Sequence, residues 1–161
     1  MLSNEYTLAE VKSELLGYAD YGYSDLSSFD AELTSQLEKV YYDIMIKFIP
    51  DIYSDIQDKS TSASDRVDFL DTIDVYERNL YFAEVHFARA YFLRLLDNKE
   101  SQDNIGNITS YRVEGFSESG ESSGSGSGIG GKKSSAKKFY EKGRNLMIES
   151  GYDMRYRVIR G

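Results

Sequence analysis

At 161 residues the chain is one domain at most, and only about 110 of them look able to join a core. It contains no cysteine, which excludes a disulfide framework and a thiolate metal site and suits a protein made in a reducing cytoplasm. The net charge of −8 hides a split: residues 1–131 hold 10 Lys/Arg against 24 Asp/Glu, whereas residues 132–161 hold 9 against 3.

The first residues, MLSNEYTLAEVKSELL, lack the basic start and continuous apolar run of a signal peptide. Thr7-Leu-Ala-Glu10 has the form of a capping box, with Thr7 as N-cap and Glu10 at N3. Leu8, Val11, Leu15 and Leu16 then make one apolar stripe, and Gly17 is expected to end the helix. Tyr18 to Ser24 reads as a loop. A second helix is predicted to start near Asp25 to Ser28. Phe29, Leu33, Leu37, Val40, Ile44 and Phe48 recur at spacings of three and four, with Asp30, Glu32, Gln36, Lys39, Asp43 and Lys47 largely elsewhere. Pro50 disfavours the α conformation at Ile49 and has no N–H to donate, so the helix should kink or stop there. Asp51 to Ile56 continues for a turn or two, and Asp58 to Asp65 reads as a polar connection.

The longest helix is predicted from about Val67 or Thr72 to Leu96. Between Leu80 and Leu96 it is apolar on most sides. No stretch reaches the roughly 18 uninterrupted apolar residues of a membrane helix, and Arg89 and Arg94 interrupt this one. A helix apolar all round is buried all round. Two other short helices cannot easily cover it, which predicts that a neighbouring subunit supplies the missing wall; a tight three-helix core is the alternative. Ile108 to Ser117 alternates weakly and reads as an extended arm or one hairpin strand. Ser117 to Gly131 is a Gly/Ser-rich linker or mobile loop. Lys137 to Ser150 predicts a final helix with Phe139, Leu146 and Met147 on one face, Gly143 weakening it and Gly151 just beyond its end. Tyr152 to Arg160 alternates again and could pair as a strand with another chain. The fold class is therefore mainly α: a bundle of three to four helices over residues 1–100, an extended arm and loop over 101–131, and a basic helix and tail over 132–161.

Few residues carry recognisable chemistry. Gly126-Ser-Gly-Ile-Gly-Gly131-Lys132-Lys133 nearly matches the phosphate-cradling pattern G-x-x-x-x-G-K-[ST]. Position 133 is lysine, so the magnesium-binding hydroxyl is missing, and no apolar strand precedes the glycines. The single histidine, His86, has Ala83 rather than glutamate three residues before it, so it lacks the Glu-x-x-His form of a di-iron helix. Glu77 and Glu84, one heptad apart, read as a solvated stripe. Tyr152, Arg155, Tyr156, Arg157 and Arg160 could stack on bases or pair with phosphates, but the acidic body would repel a long polyanion. The same residue types are enriched as anchors of protein interfaces. Opposite charge at the two ends suits a tail that meets an acidic surface, such as the body of an identical neighbour, because complementary patches steer association and fix register.

The order of these segments resembles that of the head–tail connector (adaptor) proteins of long-tailed bacteriophages. Those proteins often open with T-L-x-x-V-K-x-x-L, and here stands Thr7-Leu8-Ala9-Glu10-Val11-Lys12-Ser13-Glu14-Leu15. A long helix and then an apolar one follow, matched by Asn79-Leu-Tyr-Phe-Ala-Glu-Val-His-Phe-Ala-Arg-Ala90. An extended segment of the form I-x-S-x-x-V-G-x-x-S corresponds to Ile108 to Ser117, with its glycine displaced to Gly115 by Glu114. A short helix with an aromatic and a glycine corresponds to Phe139-Tyr-Glu-Lys-Gly143. The Gly/Ser loop is longer than the family pattern.

The resemblance spans nearly the whole chain and implies a structural virion protein without catalysis, metal or cofactor. It implies a homo-oligomeric ring, commonly a dodecamer, docked under the portal protein and above a tail-completion or stopper protein, in the neck of the virion after assembly in the host cytoplasm. Double-stranded DNA would pass through as cargo, and no membrane is involved. Tyr111, Arg112, Val113, Phe116 and Ser117 would face neighbours or the channel. Tyr152, Arg155, Tyr156, Arg157, Val158, Ile159 and Arg160 would engage the portal or a neighbouring subunit. The alternative reading, from another class, is a cytoplasmic α-helical adaptor or chaperone that holds a protein client against its apolar helix.

Overall fold

A computed structural model describes residues 5–103 and 130–152. They form a helical bundle: α1 (Glu5–Lys12), a 3-10 turn (Tyr18–Tyr21), α2 (Leu26–Val40), a π turn (Tyr41–Met45), α3 (Ile46–Phe48), α4 (Pro50–Ser62), α5 (Arg66–Thr72), α6 (Val75–Asp103) and α7 (Gly130–Glu149). The mainly α class stands, and no strand occurs among the described residues. The expected arm over Ile108 to Ser117 and the tail beyond Tyr152 lie outside them.

Local chemistry sets most helix ends. Asp25 is the N-cap of α2, its carboxylate accepting from the Ser28 N–H at 2.7 Å. Along α2 and the π turn, Phe29, Leu33, Leu37, Val40 and Ile44 are all buried, as their spacing predicts. Gln36 departs from its expected polar side: it is buried and donates to Glu32 Oε1 at 2.7 Å. The helix stops at Ile49 (φ −138°, ψ 46°), and Pro50 opens α4 at its first position, where a missing N–H costs nothing.

Three expectations are corrected. Thr7 is not an N-cap; it lies inside α1 with its side chain buried, because the helix is already formed at Glu5. The polar run after Asp58 is helical as far as Ser62, since Tyr53, Ile56 and Ser60 turn one face of α4 into the core. The long helix does not run unbroken from Val67. It is interrupted at Ile73 and Asp74, where a reciprocal capping box restarts it: Glu77 N–H donates to Asp74 Oδ1, and Asp74 N–H to Glu77 Oε2, each at 2.9 Å. Asp65 caps the preceding α5 by accepting from the N–H groups of Val67 (2.8 Å) and Asp68 (3.0 Å). These breaks give more helices than the three to four expected.

α6 is the centre of the bundle. Leu80, Tyr81, Ala83, Val85, Phe87, Ala88, Ala90 and Phe92 are buried, and each large apolar side chain removed from water contributes about 1.5–3 kcal/mol. The wall expected from a neighbouring subunit is built within the chain: α7 packs along α6 most extensively, and α2 covers another side. α7 can do this because Gly143 lies against α6, where an added Cβ would stand 2.9 Å from Phe87 Cε1 and 3.1 Å from the Ala83 carbonyl oxygen. The glycine that weakens α7 in isolation is what lets the two helices meet. α7 also begins at Gly130, inside the segment read as Gly/Ser linker, and it packs on the body.

α1 is fastened to the bundle by polar contacts. Tyr6 hydroxyl donates to the Ser60 carbonyl at 2.8 Å, Lys12 pairs with Asp30 at 2.9 Å, and Arg66 Nε donates to Glu10 Oε2 at 2.7 Å. The stripe of α1 is only partly buried: Val11 is enclosed, Leu8 and Leu15 are partly covered, and Leu16 is 65% exposed beyond the helix end at Lys12.

Candidate functional site

The C-terminal end of α7 returns to the start of α6. Gly151 adopts φ 88°, and its N–H donates to the Ile148 carbonyl (2.9 Å) while the Tyr152 N–H donates to the Met147 carbonyl (2.8 Å). This pair of bonds is a Schellman turn, anticipated by the glycine's position. Ser150 Oγ donates to the Leu146 carbonyl of α7 at 2.9 Å and lies 3.3 Å from the Tyr76 carbonyl, so the turn sits against the start of α6.

Beside that turn lies an open cleft of about 400 Å³, lined by Ile52, Asp55, Asp74, Tyr76, Glu77, Leu80, Ser150 and Tyr152. Ile52 and Leu80 supply apolar wall, and Tyr76 stands 63% exposed at its edge with Val75 (68%) next to it. Three carboxylates contribute to the lining. Glu77 is engaged, paired with Lys59 Nζ at 2.5 Å and with the capping box; Asp55 and Asp74 are exposed. A shallow, half-apolar, acidic depression suits a basic segment carrying aromatic or aliphatic side chains.

Tyr152 is the one residue of the predicted tail contacts that falls among the described residues, and it lines this cleft. Arg155, Tyr156, Arg157, Val158, Ile159 and Arg160 lie outside them, as do Tyr111, Arg112, Val113, Phe116 and Ser117. Sequence reasoning missed Ile52, Asp55, Asp74, Tyr76 and Ser150. The Asp74-Val-Tyr-Glu77 box was the available signal, since it marks a helix start with two large apolar residues in the exposed first turn.

A second polar cluster sits inside the bundle. Arg89, 1% exposed, donates from Nε to the Val11 carbonyl (2.9 Å), from Nη1 to Glu14 Oε1 (2.6 Å) and from Nη2 to Ser13 Oγ (3.0 Å) and the Glu10 carbonyl. These are acceptors at and just beyond the last turn of α1, where helical carbonyls lack partners. The guanidinium also lies 5.5 Å from the centroid of Phe139. His86 stacks on Phe139 at 5.9 Å, and its Nδ1 is 3.1 Å from Arg89 Nη1. Arginine can only donate, so Nδ1 accepts and the imidazole is neutral. Burial first, then the Arg89 charge, push its pKa down to about 4. His86 is thus partly buried and packed against Phe139 and Arg89.

Glu84 departs from the solvated stripe expected for it. It is fully buried, accepts from the Tyr53 hydroxyl at 2.5 Å, and burial raises its pKa to about 8. Among the described residues no group of three or more His, Asp or Glu side chains is placed to hold a metal ion, and no helix is long and apolar enough to cross a membrane. Gly130 to Lys133 begin α7, while the rest of the Gly-rich near-match to a phosphate loop lies outside the described residues. Comparison of the chain with protein-family models, with curated proteins and with solved structures finds no match.

Proposed function

We propose that the chain is a head–tail connector subunit, a non-catalytic component of a homo-oligomeric ring that joins portal to tail in a long-tailed bacteriophage. The observation that carries this reading is the order of the resembling segments from Thr7 to Gly143, set beside the charge reversal between residues 1–131 and 132–161. A self-contained helical body suits a rigid ring segment, and closed symmetry lets many weak contacts add. Because α6 is covered by its own chain, the ring contacts fall to surface groups: Leu16, Leu26, Tyr42, Ile46 and Val67, each at least 40% exposed, and the tail residues Arg155 to Arg160.

Electron microscopy of negatively stained protein, alone and mixed with a portal protein from the same source, tests the reading. Rings, or decorated portals, are the expected outcome; a monomer that never binds portal overturns it. The open acidic cleft favours one other reading, a helical adaptor that binds a basic protein client. A stable monomer that takes a client peptide in the cleft would select that reading.

A further inference from the structure

We propose that the acidic cleft between α4, the start of α6 and the end of α7 is the docking site of the chain's own C-terminal segment, residues 153–161. The inference does not rest on the connector reading, because every step concerns the free chain. The first support is the point of departure. The Schellman turn at Gly151 and the Ser150–Tyr76 contact place Tyr152 in the wall of the cleft, so the next residue begins at its edge. The second is charge. The segment Asp153-Met-Arg-Tyr-Arg-Val-Ile-Arg-Gly161 carries three arginines against one aspartate, and it departs beside the exposed Asp55 and Asp74, the Glu77 carboxylate being already paired with Lys59. The third is the apolar complement. The partly buried Ile52 and the exposed Tyr76 offer surface in the cleft for Tyr156 and Val158, which alternate with the arginines in sequence.

Reach and tethering decide the occupant. Nine residues extend to about 30 Å, ample to turn back across a depression that starts at the tether. A short tether gives an effective concentration on the order of millimolar, so the chain's own segment outcompetes a second copy present at micromolar concentration. The free protein then holds its basic tail against its own body, and any acidic partner of that tail must displace it. The cleft acts as a competitor that sets a threshold for the tail's outside contacts.

The absence of native cysteine makes the test direct. The double variant Asp55→Cys, Val158→Cys in the full chain is oxidised at low micromolar concentration. Expected is an intrachain disulfide in most molecules, at monomer mass, with the yield falling several-fold in 1 M salt or when Arg155→Glu and Arg157→Glu are added. The control pair Ser27→Cys, Val158→Cys should give little, because Ser27 is exposed beside Phe29, which packs on Phe92 far along α6 from the cleft. A yield no greater than that control overturns the proposal. So does a product mostly between chains, which would put another copy's tail in the cleft. Should the cysteine variant fold poorly, amide spectra of the full chain with Arg155→Glu and Arg157→Glu serve instead: shifts at Ile52, Tyr76 and Leu80 support docking, and an unchanged cleft overturns it.

Discussion

The Tyr53 hydroxyl on α4 meets Oε1 of Glu84 on α6 at 2.5 Å in the middle of the core, and Glu84 Oε2 has no hydrogen-bond partner among the described residues. A charged carboxylate there would be poorly compensated, so the group is held as the neutral acid, with a pKa near 8 against an ordinary 4.5. The folded state therefore binds more protons than the unfolded state between these values. The contribution is full below pH 4.5 and is lost as pH rises through 8. Urea unfolding measured from pH 5 to 9 should show stability falling by a few kcal/mol across that window. Glu84→Gln should flatten this slope. Tyr53→Phe, which removes the donor, should cost about 1–3 kcal/mol.

The acid side has a different cause. His86 is held neutral with a pKa near 4, by burial first and then by Arg89, while Glu14 acts weakly the other way. A histidine depressed in this way contributes stability above its unfolded value of 6.5, and that contribution is lost as pH falls through 4. The carbon-bound ring protons of His86, followed by NMR, should titrate well below pH 6. Arg89→Met should bring that titration up toward the ordinary value.

Arg89→Lys is predicted to loosen α1 even though the charge is kept. One ammonium cannot reach the Val11 carbonyl, Ser13 Oγ and Glu14 together, as the guanidinium fork does. The expected cost is about 2–4 kcal/mol, from buried acceptors left unpaired. Hydrogen exchange should accelerate first in Glu5 to Lys12, with α2 and α7 retaining protection.

Gly143→Ala pits two effects against each other. Helix propensity favours alanine by about 1 kcal/mol. The new methyl would meet the enclosed Phe87 ring at 2.9 Å and a backbone oxygen at 3.1 Å, neither free to move away. Overpacking of this kind costs about 1–3 kcal/mol, so the net change should be destabilising. A thermal melt should show a Tm lowered by a few degrees, and Gly143→Val should lower it further.

The amphipathic run from Phe29 to Ile44 and the stops at Pro50 and Gly151 were legible because each depends on neighbours in sequence. The break at Ile73 and Asp74 was hidden, since apolar residues continue on both sides and the Asp74–Glu77 box sits inside the pattern. The coverage of α6 was misjudged because α7 looks weak and basic. Its fitness appears only when Gly143 is set against Phe87. Glu84 reads as a surface acid until the fold turns it inward. Of the candidate site, the sequence singles out Tyr152 only as a tail contact; the cleft it lines joins three distant stretches that no local pattern connects.

The ion pair between Glu14 and Lys142 joins residues 128 positions apart. On a ribosome adding roughly 5–20 residues each second, the first helix waits about 6–25 s for that distant lysine to be made. Until Arg89 emerges, the end of α1 also lacks its donors. α1 can thus meet Asp30, Ser60 and Arg66 early but completes its fastening only after α6 and α7 are made, and a nascent chain stalled before α7 would present its central apolar helix to whatever binds newborn proteins.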